Sequence, residues 1–202
     1  MIFGHIGRLL AHPVNGWVAL REHHDRSGHG YRHVLLLALI PVVSAYVGTT
    51  HIGWQVTPGD AVRITERSAL IIAAFYYAVI VIGVASIAYM IHWMAATYGG
   101  SQRFSRALVL ASYIPTPLFL AGVMQLYPVL WLNLVINLPA VAYCVALLYT
   151  GIPVMMEIPQ ERGFLFSSAV LAVGLVALVA MLALTVLLWG LGAAPNYVPA
   201  VR

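Results

Sequence analysis

Five apolar stretches, residues 34–54, 68–96, 107–124, 129–152 and 165–191, fill most of this 202-residue chain, with short polar connectors between them. A bilayer core about 30 Å thick takes roughly 20 apolar residues of helix to cross. Each stretch reaches or approaches that length, so the pattern predicts five membrane-spanning helices. Composition leaves little room for another solution. Hydrophobic residues make up 62% of the chain and charged residues 8%, and the mean hydropathy is +0.91. That is too little polar surface to coat a soluble globule. The expected fold class is an all-α membrane protein: five transmembrane helices with a short interfacial N-terminal amphipathic helix.

Charge placement agrees with the spans. All ten basic residues are arginines, and none falls inside a stretch. The six acids, Glu22, Asp25, Asp60, Glu66, Glu157 and Glu161, are excluded as well. An ionised side chain at mid-membrane costs at least ~2.5 kcal/mol, which accounts for the segregation. With a cytoplasmic N-terminus, Arg8, Arg21, Arg26, Arg32, Arg103, Arg106 and Arg162 lie inside, against Arg63, Arg67 and Arg202 outside. The positive-inside rule therefore predicts a cytoplasmic N-terminus and an external C-terminus. The sequence pI near 9.4 comes without a basic stripe or RNA-binding motif, so nucleic acid is not an expected partner. Arginines beside membrane helices point to lipid headgroups instead.

The organisation is simple. Residues 1–33 form a cytoplasmic or interfacial segment, 34–192 the five-helix membrane domain, and 193–202 a short tail. Ile2, Phe3, Ile6, Leu9 and Leu10 recur at helical spacing, which predicts an amphipathic helix ending before His12-Pro13. The polar run 21–32 reads as a connector into the first span. Tyr127-Pro128 makes a tight turn that forces the third and fourth helices into an antiparallel hairpin. The 33 residues ahead of the first stretch contain four arginines, unlike a cleavable signal peptide. Cys144 is the lone cysteine, so no intrachain disulfide forms, and its place in the fourth span suits a small buried apolar residue.

Within the spans the unusual residues are Asn133 and Asn137, one turn apart. Unpaired amides in hydrocarbon cost several kcal/mol, so both should face protein or water. Interhelical hydrogen bonding is the favoured explanation; lining of a solute path is the other. Pro115 and Pro117 flank Thr116 and should locally unwind the third helix, as in the discontinuous helices of transporters. Thr116 is the best polar neighbour for the two asparagines in any cavity. His29 and His33, four apart, with His23 and His24 just upstream, have a metal-ligand spacing. They lack sulfur partners, and exposure at the interface is the favoured reading, so no cofactor is expected. Trp17, Trp54 and Trp93 are expected interface anchors. No nucleophile, acid and base converge in any motif, so no enzyme is expected.

Several segments resemble bacterial inner-membrane members of the Yip (Ypt-interacting protein) family. They are residues 31–54 (YRHVLLLALIPVVSAYVGTTHIGW), 116–128 (TPLFLAGVMQLYP), 148–153 with 166–168 (LYTGIP and FSS), and His12-Pro13 with Trp17. The resemblance implies five spans, a cytoplasmic N-terminus and location in a bacterial inner membrane. Eukaryotic members bind prenylated Rab-type GTPases in Golgi traffic, often as oligomers. Their acidic-aromatic DLYGP motif has no counterpart here, and the resemblance does not carry GTPase binding over. The function expected is non-enzymatic: a membrane organising or adaptor protein acting through helix packing and lipid contact. Its expected partners are membrane lipids, a second copy of itself and another membrane protein. The alternative is a small-solute or metal-ion transporter or channel built on the kinked third helix and the asparagines of the fourth.

Overall fold

The computed structural model describes residues 2–27, 31–54, 61–190 and 196–198, the side chains of 2–6, 24–27 and 188 excepted. Among these residues the chain is helical, with two isolated bridges and no strand. Five segments are long and apolar enough to cross a membrane: Arg32–Ile52, Glu66–Ala95, Phe104–Leu126, Leu130–Met156 and Gln160–Leu187. They coincide with the five apolar stretches, with ends shifted by a few residues.

Two of the five spans are not single helices. The first comprises α3 (Arg32–Leu37), α4 (Leu39–Val47) and a π-helical turn (Gly48–Ile52), which follow the N-terminal helices α1 (Ile2–Ala11) and α2 (Pro13–Ser27). The third comprises α6 (Phe104–Tyr113), α7 (Thr116–Ala121) and a 3-10 turn (Gly122–Leu126), after α5 (Glu66–Ala95) as the second. The fourth and fifth, α8 (Leu130–Met156) and α9 (Gln160–Gly190), are continuous. Pro115 and Pro117 break the third span where expected. Pro117 has no N–H for the carbonyl of Tyr113, four residues back. The Thr116 hydroxyl donates to that carbonyl instead, at 2.6 Å, which satisfies one of the acceptors that the break would leave bare.

The N-terminal segment departs in part from expectation. α1 ends at Ala11, ahead of His12-Pro13, but the run 21–32 is helical through Ser27. Proline is favoured in the first helical turn, so Pro13 starts α2 as it stops α1. α2 then packs along α8. Tyr143 Oη donates to the Leu10 carbonyl at 2.7 Å, and Arg21 Nη1 donates to the Val154 carbonyl at 3.1 Å. Tyr143 is the middle residue of α8, so the α1–α2 turn sits about halfway along the bundle. Trp17, expected at the interface, is instead wholly buried. Its indole lies against Gly151, where an added Cβ would come within 2.7 Å of Trp17 Cε2 and 2.6 Å of Leu110 Cδ1. Only glycine admits that approach. Leu9, Leu20, Leu147, Ile152, Met155 and Phe166 complete this buried layer.

The start of the first span and residues 196–198 lie at opposite ends of the bundle, as an odd number of spans requires. At the arginine-rich end, Glu157 accepts ion pairs from Arg106 Nη1 at 2.8 Å and Arg21 Nη1 at 3.5 Å. Glu157 itself closes α8 in the left-handed conformation, at φ 57°. At the other end Thr65 N donates to the Asn196 carbonyl and Val198 N to the Arg63 carbonyl.

Candidate functional site

The first and third spans run side by side in the same direction. Pro41 lies against Gly122, and the Gly48 backbone lies against the Gln125 carbonyl so closely that no Cβ would fit. This brings the π-helical turn beside the 3-10 turn at the end of the bundle opposite the arginine-rich one. A π turn shifts the backbone ladder of the preceding helix, and here threonine hydroxyls add bonds to its last carbonyls. Thr49 Oγ1 donates to the Ala45 carbonyl at 2.8 Å and Thr50 Oγ1 to the Tyr46 carbonyl at 2.7 Å. The first turns of α8 close the third side.

Between these three elements lies a pocket of about 240 Å³ lined by Ala45, Thr49, Trp54, Gln125, Pro128, Leu130, Asn133 and Asn137. Both asparagines singled out in the sequence line it. Their hydrogen bonds run within α8 and the turn before it, where interhelical bonds were expected. Asn133 Nδ2 donates to the carbonyls of Tyr127 at 2.8 Å and Val129 at 3.0 Å. Asn137 Nδ2 donates to the Asn133 carbonyl at 2.8 Å. The cause is local: carbonyls at a helix entrance within reach of an amide are bonded before a neighbouring helix is. With both Asn133 N–H groups on carbonyls, its orientation is fixed and its Oδ1 is buried without a partner among the described residues. On the opposite wall Gln125 Nε2 donates to Tyr76 Oη at 3.1 Å.

Thr116 does not join this pocket. It is wholly buried at the break of the third span, where His33 Nε2 meets its Oγ1 at 2.9 Å. His33 in turn stacks on Tyr113, ring centroids 3.8 Å apart and nearly parallel. The candidate metal set is thereby divided: His33 is buried inside the bundle, while His23 is exposed on α2. The side chain of His24 and the whole of His29 lie outside the described residues. Among the described residues no three metal-ligating groups converge. Of the expected anchors, Trp54 is 42% exposed beside the pocket and Trp93 is 70% exposed near the end of α5.

Sequence reasoning missed Gln125 and the part played by Gly48. Gln125 lies one residue beyond the third apolar stretch, and its only signal is that it is an amide at a span end. Nothing in the order Gly48-Thr49-Thr50 distinguishes a π turn from an ordinary helix end.

A family model described as the Yip1 domain matches residues 7–181. Two curated relatives, the inner membrane protein YohC of Escherichia coli strain K12 and that of strain O6:H1 (CFT073), are each 40% identical over 189 residues. Each alignment covers 93% of this chain and 97% of the relative. No solved structure matches the chain. Neither the family description nor the relatives' names is that of an enzyme. The match from the N-terminal hairpin through most of α9 takes in the discontinuous first and third spans and the pocket between them, and the chain belongs to the Yip1 domain family.

Proposed function

We propose that this protein is a non-enzymatic organising or adaptor protein of a bacterial inner membrane, acting through helix packing and lipid contact. The observation that carries the reading is α9. Its first turns pack on α8, but from Leu175 to Leu187 every residue is exposed, on all sides of the helix. Val176, Leu178 and Leu184, at 68%, 54% and 55% exposure, point in different directions around it. Beyond its contacts with α8 and α5, this part of the helix has no residue covered by another described element, and it offers that surface to lipid or to another helix. The transport alternative needs a polar path from the pocket to the arginine-rich end. The Pro41–Gly122 contact, the His33–Thr116–Tyr113 stack and the Trp17–Leu110–Gly151 layer stand across that direction, which supports the non-transporting reading.

The arginine distribution supports a cytoplasmic N-terminus, with the pocket opening on the external side. Mass measurement of the protein drawn from its own membrane into polymer nanodiscs tests the reading. A second copy or another membrane protein should accompany it. A particle holding one chain and lipid alone would refute the organising role.

A further inference from the structure

We propose that the pocket bounded by Thr49, Gln125 and Asn137 is a binding site for a small uncharged polyol. The polyol is either free, such as glycerol or a hexose, or the glycerol headgroup of a phospholipid in the adjacent leaflet. The inference stands apart from the organising role and rests on the pocket alone.

Its lining excludes charge and favours hydroxyls. All eight lining residues are uncharged, so an ammonium or a phosphate entering it would lose hydration without a counter-charge. Besides the buried Asn133 Oδ1, three lining side chains, Asn137, Gln125 and Thr49, retain hydrogen-bonding capacity. Asn137 uses one N–H on the Asn133 carbonyl, leaving its second N–H and Oδ1. Gln125 uses one N–H on Tyr76, leaving its second N–H and Oε1. Thr49 donates its proton to the Ala45 carbonyl and still accepts. An amide presents a donor and an acceptor side by side, and a hydroxyl is both at once. Two amides and a hydroxyl therefore match a molecule with several hydroxyls better than one with a single polar end. Trp54 supplies a flat aromatic wall for the C–H face of such a molecule, and Ala45, Pro128 and Leu130 supply apolar walls.

Size and rigidity agree. Drug-sized ligands occupy pockets of roughly 300–1,000 Å³, and about 240 Å³ suits a smaller molecule. The close contact of Gly48 with the Gln125 carbonyl fixes Thr49 and Gln125 relative to each other before any ligand arrives. Such preorganisation spares a ligand the ordering cost. For the lipid source there is one further group. Arg63 is exposed and not part of the lining, and its Cγ lies close beside Gly53, the sequence neighbour of Trp54, so it is the cation available to a phosphate.

The test uses the full chain in phosphatidylethanolamine nanodiscs. Saturation-transfer NMR with glycerol and with glucose reads the free source. Native mass spectrometry after exchange into mixed phosphatidylethanolamine and phosphatidylglycerol reads the headgroup source. A free polyol should give a signal that falls by at least about fivefold, the loss of one hydrogen bond, in Asn137→Leu and Gln125→Leu but not in Arg63→Gln. A headgroup should instead give retention of phosphatidylglycerol that falls in all three variants. Thr49→Val, which leaves α8 untouched, replaces Asn137→Leu if that variant loses its thermal transition, and should give the same fall. Absence of both signals, or signals unchanged in Gln125→Leu and Thr49→Val, would overturn the proposal. The particle mass of Asn137→Leu should equal wild type, so failure here is separable from failure of the organising role.

Discussion

His33 Nε2 lies 2.9 Å from Thr116 Oγ1 across 83 positions of sequence, and this bond ties the start of the first span to the break in the third. Because the Thr116 proton is already given to the Tyr113 carbonyl, the imidazole must donate through Nε2. One threonine thus satisfies the carbonyl freed by Pro117 and holds the histidine. Thr116→Val keeps the volume and removes both bonds, and it should cost about 1–3 kcal/mol. Thr116→Ser should cost much less. Thermal unfolding in detergent measures the difference; equal stability of the valine and serine variants would contradict the arrangement.

Trp17 and Gly151 make a second pair whose coupling is measurable. Gly151→Ala drives a methyl into the indole and should be strongly destabilising. Trp17→Ala empties a buried site and should cost about 3–5 kcal/mol. Trp17→Phe should cost far less, since the buried indole N–H has no partner among the described residues and phenylalanine deletes it. Phenylalanine also makes room, so Trp17→Phe with Gly151→Ala should cost less than the sum of the two. Strict additivity would show that the two residues are not in contact.

Glu157 joins the N-terminal hairpin to the third and fourth spans through Arg21 and Arg106. Its carboxylate is half exposed whereas Arg106 is almost buried, so the network falls between surface and buried pairs. Glu157→Gln should lower stability by about 1–2 kcal/mol and speed proteolysis within α2. Glu157→Gly relaxes the left-handed backbone, which offsets part of that loss. The glycine variant should therefore be at least as stable as the glutamine variant, and the reverse order would contradict the role given to the backbone.

The five spans were legible because hydrophobic length needs no tertiary information, and the break at Pro115–Pro117 because proline acts on its own helix. Arg21 and Trp17 were misjudged for the opposite reason. A polar run after a proline looks like a connector until a glycine on a distant helix, Gly151, opens a slot for the tryptophan. Asn133 and Asn137 stand out in the sequence as amides within a span, but their partners are not readable there. Whether an amide bonds its own helix or another depends on which carbonyls the preceding turn leaves free. The pocket was hidden because Thr49, Gln125 and Asn137 come from three spans and meet only through the π turn.

Orientation has its own test. In a Cys144→Ser background, single cysteines at Arg63 or Asn196 should react with an impermeant thiol reagent added to intact cells, and one at Gln102 should not. The reverse pattern would invert the topology. Labelling of Gln102 and Asn196 from the same side would contradict five spans.

The organising role stands or falls on what covers α9 in the membrane. A photo-cross-linking amino acid placed singly at Val176, Leu178, Val179, Leu182, Leu184 and Val186, which surround the helix axis, in living cells, reports its neighbours directly. The account predicts protein adducts at a subset of these positions recurring with helical periodicity, and none at Leu110 beyond links within the chain. Lipid-only labelling at every position along α9 would contradict it.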